Sequence, residues 1–313
     1  MVRLGRILRD HREAGAVNSL IALWGFVDES TFLTKSGHVG LVYQLRGRDA
    51  EGLTHGQRRT IVHQFEAALR LLDDHCRVYQ YVIKQTVEPF VAPPCRRAVA
   101  NEALQRRTDF LNDRRQQLFR IDHFLVLLYE PPAAVRTSTS FGRALSEPYH
   151  GLRNWLSSRH TLAMLESELD RAIGTLHHKA NAVEVQLAEC GLRRLLKPEA
   201  FGFFRRLVNY DAATVAASSL AYDTHLDYFV ADSAVECHRD RLIVGNQAVK
   251  VLSMKEPPSQ TFAHMLGDLF TLPGEFIACL EWQRSPNDRV RRDIQSRRRH
   301  FFNKRVSLVN YVS

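Results

Sequence analysis

The stretch Thr31–Leu45, TFLTKSGHVGLVYQL, reads as a β-hairpin. Lys35, Ser36 and Gly37 supply a tight turn. Beyond it Val39, Leu41, Tyr43 and Leu45 alternate with His38, Gly40, Val42 and Gln44. That period of two predicts a strand with one buried face and one solvated face. Upstream, Leu20–Val27 (LIALWGFV) is an apolar run of strand length, closed by the turn residues Asp28, Glu29 and Ser30. Downstream, Gly47 and Gly52 bracket a loop, and Thr54 with Gln57 three residues on forms a capping box. Ile61, Phe65, Ala68, Leu69 and Leu72 follow at helical spacing, so a helix is predicted to run to about Asp74.

The next elements continue in the same manner. Val78–Ile83 is a strand, Pro89, Pro93 and Pro94 break the chain, Ala98–Arg120 is a charged helix, and Ile121–Glu130 is a strand stopped by Pro131 and Pro132. Residues 133–150 have loop composition. The longest helical pattern spans Thr161–Leu196, where Leu162, Leu169, Leu176, Val183 and Cys190 recur every seven residues. It reads either as a coiled-coil arm or as a long helix packed on its own domain. Pro198 suits the first turn of a helix over Glu199–Asn209. The last third then predicts strands at Leu226–Val230, Val235–His238, Leu242–Val244 and Val249–Met254. A helix follows at Gln260–Phe270, then a strand at Glu275–Gln283 and a basic helix at Asn287–Arg305.

Both ends of the chain share one grammar: hairpin, strand, helix, strand, helix. The fold class that follows is α+β, with two mainly antiparallel-sheet units joined by a long helical arm. The corresponding divisions are an N-terminal unit over residues 1–134, a helical connector over 135–222 and a second unit over 223–313. The chain has 313 residues, 45% of them hydrophobic, enough for a sizeable core.

A basic helix at Val2–Glu13 followed by Leu20–Val27 mimics a signal peptide. However, charges separate the two parts, and Asp28 and Glu29 stand where small residues would be cleaved. The apolar run is also far short of a membrane span. We therefore expect neither a signal peptide nor a transmembrane helix. The five cysteines, Cys76, Cys95, Cys190, Cys237 and Cys279, are scattered with no C-x-x-C pair, which fits a reducing compartment.

Motifs for chemistry are missing from the sequence. None of the 16 glycines is followed by lysine, so there is no G-x-x-x-x-G-K-[S/T] loop to cradle phosphates. There is also no G-x-S-x-G elbow. His177 and His178 are adjacent, so a helix would point them about 100° apart. No enzyme activity and no bound cofactor are expected of this chain. The formal net charge is +9, and one segment concentrates it. Arg289, Arg291, Arg292, Arg297, Arg298, Arg299, Lys304 and Arg305 surround Phe301 and Phe302. This segment reads as a surface for phosphate backbones or anionic lipid, or as a solvated helix paired with neighbouring acids.

Four motifs in order resemble one family. Leu23–Gly40 (LWGFVDESTFLTKSGHVG), Gly47–Thr54 (GRDAEGLT), Val249–Thr261 (VKVLSMKEPPSQT) and Arg297–Leu308 (RRRHFFNKRVSL) are similar to the N-terminal part of TrbE/CagE/VirB-type ATPases of type IV secretion and conjugal transfer. The resemblance implies a bacterial cytoplasmic protein, peripheral at the inner membrane, that docks onto inner-membrane channel subunits. It further implies self-association in the full-length protein, with ATP and Mg²⁺ held by a C-terminal domain that this sequence does not contain. On that basis the chain is expected to be a docking and assembly domain, or else a basic nucleic-acid-binding module acting in DNA transfer.

Overall fold

The computed structural model describes residues 17–48, 51–132, 158–254, 265–286, 290–292, 294–296 and 298–299. The expected helix at Val2–Glu13 and the loop at 133–150 lie outside them. The architecture is α+β, with two antiparallel sheets of seven and three strands. The large sheet contains β1 (Leu23–Phe26), β2 (Thr31–Thr34), β3 (Val39–Leu45), β4 (Cys76–Thr86), β5 (Phe119–Tyr129), β6 (Leu192–Arg194) and β10 (Phe276–Gln283). Its order is β1-β2-β3-β5-β4-β10, with β6 also pairing β3. The small sheet is a meander of β7 (Val235–Cys237), β8 (Leu242–Val244) and β9 (Gln247–Val249).

In β3 all residues but Gln44 are buried, so the solvated face that the alternation predicted does not exist. The reason is that helices cover both faces of the sheet. On the first face Val39, Leu41, Tyr43, Leu127 and Tyr129 pack against α3 (Ser158–Leu187) through Ala172, Leu176 and Ala180. On the second face Phe32, Val42, Ile83, Phe124 and Val126 pack against α4 (Lys197–Val208) through Ala200, Phe201 and Phe203. The alternation in β3 is therefore between two covered faces, with Val42 in one core and Val39, Leu41 and Tyr43 in the other. At Gly40 a side chain has no room, because a Cβ there would meet the Phe32 ring at 2.3 Å.

α1 (His55–Arg70) begins with the expected capping box: Thr54 accepts from the Gln57 N–H, and the Gln57 side chain accepts from the Thr54 N–H. It packs Ala68 and Phe65 beside Leu45 and Leu187, against the first face. The charged helix α2 (Ala98–Asp113) is shorter than expected because β4 and β5 pair along their full length, out to Thr86 opposite Phe119. The sheet thus claims Phe119 and Arg120. α3 ends at Leu187, and Gly191, in the left-handed region at φ 70°, turns the chain into β6. Of the two readings of this pattern, the packed helix describes the buried Leu176, Ala180 and Leu187. A short helix α5 (Ala212–Ala217), capped by Asp211, follows α4.

Four expectations in the last third are corrected. Leu226–Tyr228 is a 3₁₀ turn rather than a strand, because Arg205 and Lys35 hold it by the Phe229 carbonyl and the Asp227 carboxylate. The strand expected at Val249–Met254 ends at Val249. The strand at Glu275–Gln283 is present, but its partner is β4 of the first sheet rather than a neighbour in the last third. Of the helix expected at Gln260–Phe270, residues 260–264 lie outside the described residues, and Gly267–Thr271 forms a 3₁₀ turn.

Candidate docking surface

β10 leads directly into the basic segment. At its end the Gln283 amide donates to the Asp74 carbonyl at 3.3 Å, and Arg284 donates to the Leu72 carbonyl at 3.4 Å. The segment therefore starts beside the C-terminal end of α1. The Pro286 carbonyl accepts the Val290 N–H at 3.1 Å, and residues 290–292, 294–296, 298 and 299 are helical. Arg291, Arg292, Arg298 and Arg299 are all exposed. Arg289, Arg297, Lys304 and Arg305 lie outside the described residues. At about 100° per residue, Arg291 and Arg298 fall on one line and Arg292 and Arg299 on the next. Val290 and Ile294, 41% and 54% exposed, flank them on one side. Basic and apolar side chains thus fall on adjoining sides of the described helical stretch.

A second cationic surface was legible only as charge. α2 stands at the far end of the β4–β5 pair, tied down by Asn112, which accepts the Phe90 N–H at 2.8 Å and donates to the Phe90 carbonyl at 3.0 Å. Arg96, Arg97, Arg107 and Arg114 are exposed around it, and the Arg114 guanidinium stacks 3.7 Å over the Phe110 ring. Val99 and Phe110 are 82% and 54% exposed. Arginine and aromatic side chains exposed together are the composition of partner-binding patches.

A polar web fixes α3 to the sheet. The Tyr43 hydroxyl donates to Glu184 at 2.8 Å, and Arg194 of β6 donates to the same carboxylate at 2.8 Å. Arg194 also donates to His177 Nδ1 at 2.9 Å. The other nitrogen of His177 lies 2.9 Å from the Thr31 hydroxyl and 3.3 Å from Asp28. His177 is thus a packed group rather than a surface one. Burial pushes the Tyr43 hydroxyl well above the usual phenol range, and the Glu184 carboxylate adds to the effect. Among the described residues no group of three His, Cys, Asp or Glu could hold a metal.

Asp28 gives this web a pH dependence. Burial acts to raise its pKa, but the N–H groups of Ser30 and Thr31, with side-chain bonds from Thr31 and His177, outweigh it and bring the value down to about 2. A carboxyl depressed on folding stabilises the protein fully above its unfolded pKa and loses that contribution as pH falls through the folded value. The stability gap between the wild type and Asp28→Asn should therefore be constant above pH ~4.5 and narrow from about 4 towards 2. Urea titrations at stepped pH measure the gap. A gap that does not depend on pH would remove Asp28 from the account.

β10 and the segment that leads into it are held by groups with no sequence signature. Lys84, 3% exposed, donates to the carbonyls of Phe270 at 2.9 Å and Leu272 at 2.6 Å. Its ammonium also lies 4.1 Å over the Phe119 ring. Glu275 accepts the Thr86 N–H at 2.8 Å, and Arg77 bonds Glu281 at 2.6 Å. Between α1, α3 and the sheet lies an apolar cavity of about 120 Å³ whose walls include Phe65, Leu127, Val183, Leu280 and Trp282. No described helix is long and apolar enough to cross a membrane.

Residues 30–137 match the family described as Type IV secretion system ATPase VirB4/TrbE, N-terminal domain. The matched stretch runs from the residue before β2 to beyond the end of β5, so it holds the centre of the large sheet with α1 and α2. No curated protein matches the chain.

Proposed function

We propose that this chain, whose residues 30–137 are similar to the N-terminal domain of the VirB4/TrbE type IV secretion ATPases, is a docking and assembly domain. In this reading it sits at the cytoplasmic face of the inner membrane and binds the membrane subunits of the secretion or conjugation channel. The family match is the observation that carries the reading. ATP hydrolysis, the activity in the family's description, is assigned to another part of the machine, since no glycine here precedes a lysine. The α2 surface, with Arg114 stacked on an exposed Phe110, supports contact with a partner. The test is co-expression of the tagged chain with the inner-membrane subunits of its own secretion system. Capture of at least one is expected, and Phe110→Asp should weaken that capture without unfolding the chain. Failure to retain any of them overturns the proposal.

A second reading rests on the four exposed arginines of the helical stretch, Arg291, Arg292, Arg298 and Arg299. In it this helix binds nucleic acid during DNA transfer. Four phosphate contacts would weaken binding roughly 100-fold between 50 and 200 mM salt. Replacing all four by alanine should flatten that slope for every DNA sequence alike. Binding indifferent to salt and to these replacements refutes it.

A further inference from the structure

The edges of the large sheet at β1 and at β10 are built differently. β1 is four residues long, and its register slips between Leu23 and Gly25. Residues 223 and 224 lie along it: Phe26 donates to the Asp223 carbonyl at 2.6 Å, and Gly25 bridges Thr224. A Cβ on Gly25 would stand 2.4 Å from the Asp223 oxygen. A short, bulged and covered edge resists further pairing. β10, at the other end, has none of these features. It runs eight residues in unbroken register with β4, from Phe276 opposite Lys84 to Gln283 opposite Arg77. It contains no proline and no lysine, and its one charge, Glu281, is held by Arg77. Its outer side faces no strand among the described residues. Cys279 is exposed and Leu280 is 54% exposed at its middle.

We infer that β10 is an interface for a second copy of this chain, pairing antiparallel with the same strand about a two-fold axis at Cys279. A two-fold perpendicular to the sheet keeps each face on its own side, so only registers that centre on a residue are open. Centred on Cys279, Trp282 meets Phe276 of the second copy, Leu280 meets Ala278, and Glu281 meets Ile277. The pairing is self-complementary: two cross-strand aromatic pairs form and no like charges oppose each other. Centred on Ala278, Glu281 would face Glu275. Centred on Leu280, the aromatic pairs are lost. The strand's own sequence thus selects one register with itself, which favours a second copy over an unrelated strand. This inference stands on the sheet edges alone and is independent of the docking role.

The test uses the full chain with Cys95→Ser and Cys237→Ser, so that Cys279 is the remaining exposed cysteine of the described residues. Sedimentation up to the highest soluble concentration should give a reversible dimer, and mild oxidation should link it through Cys279. Directly opposed residues have Cα atoms about 4.5–5.5 Å apart, within disulfide reach. Cys279→Lys should raise the dimer dissociation constant about tenfold or more, by opposing two ammonium groups, while leaving the circular dichroism and the monomer's urea midpoint unchanged. Cys279→Ser should keep the dimer and lose the link. A chain that stays monomeric throughout overturns the inference. So does a dimer that neither links through Cys279 nor responds to Cys279→Lys.

Discussion

Arg205→Met is expected to lower stability by about 3–5 kcal/mol, because it strands three carbonyls that this side chain satisfies. The Arg205 side chain is 0% exposed. Its guanidinium donates to the carbonyls of Val215 at 3.1 Å, Phe229 at 2.7 Å and Thr214 at 2.5 Å, and lies 2.6 Å from the Asp232 carboxylate. The middle of α5, the residue after the 3₁₀ turn and Asp232 therefore close on one side chain. Methionine fills much of the volume but offers no donor, and each stranded buried carbonyl costs about 1–3 kcal/mol. Asp232 is 41% exposed, so water covers the abandoned carboxylate and its share is small. Arg205→Lys should recover less than half of the loss, because a point charge cannot reproduce the planar fork. Urea unfolding gives the magnitude, and amide exchange should rise first over residues 212–233. A loss below ~1 kcal/mol would mean that the carbonyls find other partners and that Arg205 is no hub.

The second large effect is Phe203→Ala, expected at about 3–5 kcal/mol. Its ring is 2% exposed and sits 4.7 Å from that of Phe124, 5.4 Å from that of Tyr81 and 5.4 Å from that of Phe204. It is the point at which α4 closes the second face of the sheet. Removing it loses apolar transfer energy and leaves a cavity between a strand and a helix that are each fixed by other contacts. Phe203→Leu should cost markedly less, while Phe204→Ala, at a half-buried position, serves as the milder control. Arg205 and Phe203 lie two residues apart on one helix, so the double variant should fall short of the sum of the singles. Equal losses for Phe203→Ala and Phe204→Ala would show that the core is not centred where the packing puts it.

The elements written in local chemistry were legible in the sequence. The Thr54–Gln57 capping box, the Lys35–Gly37 turn and Pro198 in the first turn of α4 each act within a few residues, and each stands where expected. Pairing at long range was not legible. Nothing in FIACLEWQ distinguishes β4 as a partner from any other strand, and three residues of β6 after a helix carry no period at all. Among the candidate groups, a run of arginines announces itself by composition. Lys84 and Arg205 do not, because their partners are backbone carbonyls, which every residue possesses.

The position of β10 also orders events during synthesis. The β4 strand is made early, and its second neighbour leaves the ribosome only after roughly 200 more residues. At 5–20 residues per second that is roughly 10–40 s. Throughout that interval the β4–β5 pair can assemble with β3, yet Tyr79, Tyr81 and Ile83 remain on an unfinished border of the sheet. The nascent chain therefore carries a temporary adhesive strip that any passing strand can occupy. Its yield in the cell depends on how well that strip is shielded until the last strand arrives.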